Sequence, residues 1–134
     1  MKNITFIPKI EVDERDLRDF VIKQGGIWND KNALRSGAFQ SGGGNVYVDI
    51  YENYLMEFGE VERRTINRVV GFLPTLAFSL HVGHGLASEH LLSKVVNIIH
   101  ERWGVIILDC GNSFDSDFGS VVVLSPAELR GDSK

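Results

Sequence analysis

Cysteine is nearly absent from this chain: Cys110 is the only one among 134 residues. A lone thiol excludes an internal disulfide framework and suits a reducing cytoplasm. Long apolar runs are missing as well. No stretch approaches the roughly 20 residues needed to cross a bilayer, and the opening MKNITFIPKIEVDERD turns acidic at once, unlike a signal peptide. An excess of positive charge is also lacking. Lys and Arg number 14 against 18 Asp and Glu, a net charge of −4. General nucleic-acid binding needs clustered cations to displace counterions from phosphates, so this balance argues against it. It permits a basic protein partner.

What is present reads as one globular domain, with ordinary hydrophobic (43%) and charged (24%) fractions. Strand and helix patterns alternate along it. Residues 4–10 make a first strand with Ile4, Phe6 and Ile10 on one face. Asp13 is a good N-cap for a helix that carries Leu17, Phe20 and Val21 on one side and ends at Gly25-Gly26. A strand over 33–40 is broken by SGGG. NVYVDIY follows, with Val46, Val48 and Ile50 on one face and Tyr47, Asp49 and Tyr51 on the other, a hairpin signature. A helix from 57 or 60 to 72 aligns Ile66, Val69, Val70 and Leu73, and Pro74 stops it. Leu76, Phe78 and Leu80 alternate as a strand. The strongest helix pattern spans 88–103, with Leu92, Val96, Ile99 and Trp103 on one stripe and Gly104 as its stop. That stripe is expected to pack on a sheet containing Leu76, Phe78, Ile106 and Leu108. VIIL at 105–108 suits a strand buried on both faces, and 121–124 makes a last strand before a short helical turn. The expected fold is α+β: a single-domain, two-layer sandwich of residues 1–134. It combines about three helices with a mixed or mainly antiparallel sheet of about five to six strands.

Chemistry-bearing side chains concentrate in LHVGHGLASEH, which holds His81, His84 and His90, three of the four histidines. His81-x-x-His84 offers a metal-ligand pair, and Glu89, His90, and the Asp109 and Cys110 that follow the next strand could lie close to it. The glycines either side of His84 instead suit a tight turn, and Ser88 reads as the N-cap of the long helix. The stretch is therefore expected to be an entry loop, with no metal, no cofactor and no catalytic residue assigned. Cys110 beside Gly111 could pair with a histidine as a nucleophile, but a lone cysteine is more often packing. Gly42, Gly43 and Gly44 separate two strands and are a turn rather than a phosphate cradle. Asp115-x-Asp117-x-Gly119 lacks the third acidic position and the distal Glu of a calcium loop.

Charge is unevenly spread. Residues 45–62 carry Asp49, Glu52, Glu57, Glu60 and Glu62 and no Lys or Arg, and 105–128 carry Asp109, Asp115, Asp117 and Glu128, again without a cation. Tyr47, Tyr51, Tyr54, Phe58, Phe114 and Phe118 lie among these acids. Aromatic anchors within a field of one sign are what a specific protein interface uses. An ordinary solvated acidic face with partly buried rings has the same composition. The partner-binding candidates are Asp49, Tyr51, Glu52, Tyr54, Glu57, Glu60, Asp109, Phe114, Asp115, Asp117 and Phe118.

The segment VVGFLPTLAFSLHVGHGLASEHLLSKVVNIIHERWGVIILDCG, about a third of the chain, resembles the second half of small bacterial immunity proteins. These include the immunity proteins of contact-dependent growth inhibition and related polymorphic-toxin systems. The features it shares are Phe72-Leu73-Pro74, the strand 76–81, the Ser-led helix 88–103, Gly104 and the apolar strand 105–108. The resemblance implies stoichiometric binding and neutralisation of one cognate toxin domain, frequently a nuclease, in the producer's own cytoplasm. No active-site residue carries over from it; the net charge argues against direct nucleic-acid contact, and the short apolar runs against a membrane span. Two other readings of the residues stay open: a small hydrolase or metal-dependent enzyme using His81, His84, His90 and Cys110, and a non-catalytic adaptor subunit.

Overall fold

The structure, a computed structural model, describes residues 3–29, 36–108 and 121–129. Among them the chain forms β1 (Asn3–Pro8), α1 (Glu14–Lys23), β2 (Ile27–Asn29), β3 (Ser36–Ser41) and β4 (Gly44–Glu52). A 3-10 turn (Tyr54–Glu57) and α2 (Glu60–Val70) come next, then β5 (Leu76–Val82), α3 (Leu86–Trp103), β6 (Val105–Leu108), β7 (Val122–Leu124) and the single turn α4 (Pro126–Leu129). The expected α+β single-domain class is the one observed, with seven strands where about five to six were expected. They form one sheet in the order β2-β3-β4-β5-β1-β6-β7. Every neighbouring pair is antiparallel except β6 and β7.

Local chemistry explains most boundaries. Asp13 caps α1 through a capping box, accepting the Asp16 N–H at 2.8 Å while Asp16 accepts the Asp13 N–H at 3.1 Å. The β3–β4 hairpin closes through Gly42 and Gly43, whose φ of 56° and 85° meet the demand of a two-residue primed turn. Gly71, at φ 99°, ends α2 three residues before Pro74, so Leu73 leaves the helical stripe and is exposed. β1 ends at Pro8, which leaves Ile10 exposed beyond it. The strand expected over 33–40 runs instead over Ser36–Ser41, its first expected residues lying outside the described ones.

The helices cover the sheet unevenly, and this asymmetry creates the site. On one face α1 and α3 bury Leu17, Phe20, Leu92, Val96 and Ile99 against Phe6, Val48, Phe78, Leu80 and Ile107. Phe20 and Trp103, with ring centroids 5.0 Å apart, join the two helices. On the other face α2 and α4 bury Ile66, Val70 and Leu129 against Ile7, Ala77, Ile106, Leu108 and Leu124. Among the described residues that second cover is a partial third layer, set over β1, β6, β7 and the Ala77 end of β5. It also corrects the packing expected for α3: Ile106 and Leu108 lie under α2, while Val105 and Ile107 lie under α3. The four residues of VIIL are all buried, so no polar position marks which parity faces which helix.

The Gly83-His84-Gly85 loop is a tight strand-to-helix entry, as expected, but Ser88 does not cap the helix. α3 begins at Leu86 behind Gly85, which has φ 92° and offers no side-chain cap. Ser88 sits inside the first turn, 1% exposed, where its hydroxyl accepts the Asn45 N–H and donates to the His84 carbonyl, each at 3.0 Å. It pins the start of β4 to the loop, and Gly44 permits that contact because a Cβ there would meet the Ala87 carbonyl. Ser88→Ala is expected to lower stability by about 1–3 kcal/mol, since the Asn45 N–H would lose its acceptor. Urea unfolding checks it, and no change in midpoint would contradict the role.

Candidate protein-binding face

The half of the second sheet face beyond α2 is formed by β2, β3, β4 and the C-terminal part of β5. β4 builds its centre. Val46 and Val48 are fully buried on the α3 side, so the strand's two-residue period turns Tyr47, Asp49 and Tyr51 to the other side. Tyr47 and Tyr51 are 43% and 41% exposed there, a large exposure for rings on an ordered strand.

Cross-strand register arranges what surrounds them. Asp49 pairs with Ser36 on β3 and with Ser79 on β5, and Ser79 pairs in turn with Thr5 on β1. One neighbouring row runs Ala38, Tyr47, His81 and Asn3, and Tyr51 opposite Ala77 begins the row on the other side. A row of small polar side chains therefore crosses the sheet between flanking tyrosines, with Ser79 and Thr5 buried and Asp49 part-exposed. Tyr51 leans on Tyr54 and Tyr54 on Phe58, each pair 5.1 Å between centroids. This aromatic chain ends at the core beneath α2, which Tyr54 and Phe58 also contact.

His81 belongs to this face rather than to a histidine loop. Its Nε2 lies 2.9 Å from Asp49 Oδ2 and 3.2 Å from Ser79 Oγ. The carboxylate can only accept, so the hydrogen bond to it requires the proton on Nε2. The same nitrogen then cannot take a proton from Ser79. A serine–histidine–carboxylate relay needs the two partners on opposite ring nitrogens, and this arrangement does not provide it. His84 and His90 are exposed, and Cys110 lies outside the described residues. Among the described residues, no three His, Cys, Asp or Glu side chains gather as metal ligands would. Nor does the open cleft of about 240 Å³ between α1 and α3, where Asp16, Asp19, Lys23 and Arg102 surround Phe20 and Trp103, contain a nucleophile beside a base.

The sequence-selected acids separate into distinct surroundings. Asp49 and Tyr51 stand on the open face, with Tyr54 beside them. Glu52 and Glu57 are exposed at the end of β4 and on the 3-10 turn. Glu60 begins α2 and is bound 2.8 Å from Arg64. That hydrogen bond, then the Arg64 charge, holds its carboxyl below the usual carboxylate range, so its negative field is already partly compensated. Asp109, Phe114, Asp115, Asp117 and Phe118 lie outside the described residues. Selection by charge passed over Tyr47, Ser79 and His81. The signal for Tyr47 was the alternation of NVYVDIY, and for Ser79 and His81 that of LAFSLHV, whose Ala77, Ser79 and His81 are the smaller or polar positions between Leu76, Phe78, Leu80 and Val82. No helix among the described residues is long and apolar enough to cross a membrane. No family model, curated protein or solved structure matches the chain.

Proposed function

We propose that this chain is an immunity protein: it binds one cognate antibacterial toxin domain, a basic nuclease, in the cytoplasm and neutralises it by forming a stoichiometric complex. The supporting observation is the half of the sheet face where two exposed tyrosines flank a part-exposed carboxylate and which, among the described residues, no helix covers. Exposed rings on a rigid strand lose little conformational entropy when buried, which makes them suitable anchors. Acids at 45–62 steer a basic partner toward them. A nuclease presents such a basic surface to phosphates, and covering it inhibits the enzyme without any catalysis by the inhibitor.

The test is co-expression with the toxin domain encoded by the adjacent reading frame. A one-to-one complex is expected on purification, its association slowing as salt is raised. If no such domain is encoded, or the two do not co-purify, the immunity reading fails and the adaptor reading replaces it.

A further inference from the structure

We propose that Asp49, in the accessible part of the polar row, seats an arginine side chain of the partner, with the guanidinium on its carboxylate and the guanidinium plane against Tyr47 or Tyr51. The proposal rests on the open half being the partner-binding face, and it names the chemistry that this face selects.

Asp49 is placed for such a ligand. Its side chain is 49% exposed, and His81 Nε2 occupies Oδ2 at 2.9 Å. A carboxylate offers about four acceptor positions, and among the described residues no hydrogen bond is made to Oδ1. Ser36 and Ser79 on either side are small; Ser79 is buried and Ser36 part-exposed, so the accessible part of the row is Ser36 and the Asp49 carboxylate itself. No Lys or Arg projects from the described strands on this face. Asn3, Thr5, Ile27, Asn29, Ser36, Ala38, Gln40, Asn45, Tyr47, Asp49, Tyr51, Ala77, Ser79 and His81 are the strand positions of that parity. The one formal charge is negative, and His81 already spends a hydrogen on it.

Spacing favours a side chain lying across the strands. Tyr47 and Tyr51 are four residues apart on β4, about 13 Å at the strand rise of about 3.3 Å per residue. A guanidinium on Asp49 therefore stacks on one ring, and the second ring remains for the partner's adjoining surface. Arginine fits this better than lysine. It is planar, gives two parallel N–H groups to a carboxylate, and sheds water more readily when it lies on an aromatic face. Lysine would meet Asp49 as a hydrated point charge and gain less from the tyrosines.

The test uses the intact protein and a small probe. N-acetyl-L-arginine amide, with N-acetyl-L-lysine amide as comparator, is titrated into ¹⁵N-labelled protein while amide shifts are followed. Saturable shifts are expected at Tyr47, Asp49, Tyr51, Ser79 and His81, with arginine bound at least about fivefold more tightly than lysine. Asp49→Asn should weaken arginine binding at least about fivefold, a modest factor because the carboxylate is half-exposed. Tyr51→Leu gives a second variant that keeps the carboxylate and should also weaken arginine binding more than lysine binding. Absence of saturable shifts on this face, equal response to lysine, or an unchanged response in Asp49→Asn overturns the proposal. Growth protection against the toxin domain judges the immunity reading separately. Protection without an arginine response removes only the arginine seat. An arginine response without protection removes only the immunity reading.

Discussion

Replacing Ile99 with alanine is expected to lower the free energy of unfolding by about 2–5 kcal/mol, from lost transfer energy plus the cavity left behind. Ile99 is 1% exposed on the inner stripe of α3 and belongs to the core formed with Ile4, Phe6, Leu80, Val105 and Ile107. These neighbours come from β1, β5 and β6, the adjacent central strands of the sheet. Strands tied on both sides cannot easily collapse into the vacated space, which places the expected cost within that range rather than below it. Urea unfolding with an unchanged slope is the check. A cost under about 0.5 kcal/mol would put this face of α3 in solvent and contradict the layer assignment.

The second large effect concerns binding. Tyr51→Ala is expected to accelerate dissociation of the toxin complex by about 30-fold, equivalent to about 2 kcal/mol for a true anchor. The ring is well exposed in the free protein yet supported from behind by Tyr54. A partner therefore meets a pre-positioned surface. The substitution removes both the anchor and the support it lends to Tyr54, while its direct contribution to the core is small. Stability should consequently change far less than affinity. Asp49→Asn should act on both rates: loss of the charge slows association, and loss of the seat for the partner's guanidinium speeds release. Stopped-flow association and dissociation rates of the two variants separate these roles. An unchanged association rate in Asp49→Asn would remove the steering role of that carboxylate.

Helix faces were legible in the sequence because a helix carries its periodicity within one short segment. Leu17, Phe20 and Val21 on α1, and Leu92, Val96, Ile99 and Trp103 on α3, are buried as their spacing requires. β4 was equally plain, since valines alternate there with polar or aromatic residues. Strand order was not legible. β1 lies between β5 and β6, joining segments more than seventy residues apart, and its near-continuous burial is the only local trace of that central place. Ser88 was misplaced for a related reason. A serine near a helix start usually caps it, but here its hydroxyl is claimed by Asn45, 43 residues away.

The site was half legible. Asp49 and Tyr51 could be chosen because a run of one charge sign is visible along the chain. His81 could not be placed, because its spacing to His84 and His90 has no meaning once strand, loop and helix separate them. Register brings it instead opposite Tyr47 and within 2.9 Å of Asp49, a carboxylate 32 residues earlier in sequence. Conversely, Glu60 and Glu62 looked like free acids of one field. One is paired with Arg64, and the other accepts the Gly59 N–H at 3.0 Å where α2 begins.

Growth of cells expressing the neighbouring toxin domain shows whether the sheet face that carries Asp49 and Tyr51 neutralises a toxin. Growth is followed with the wild-type protein, with Tyr51→Ala, with the double variant Asp49→Asn and Tyr51→Ala, and with no inhibitor. Full protection is expected from the wild type, reduced protection from Tyr51→Ala and least from the double variant, with all three proteins accumulating to similar levels. Growth arrest despite abundant wild-type protein would contradict the immunity function. Full protection by the double variant would contradict the placement of the binding site on this face.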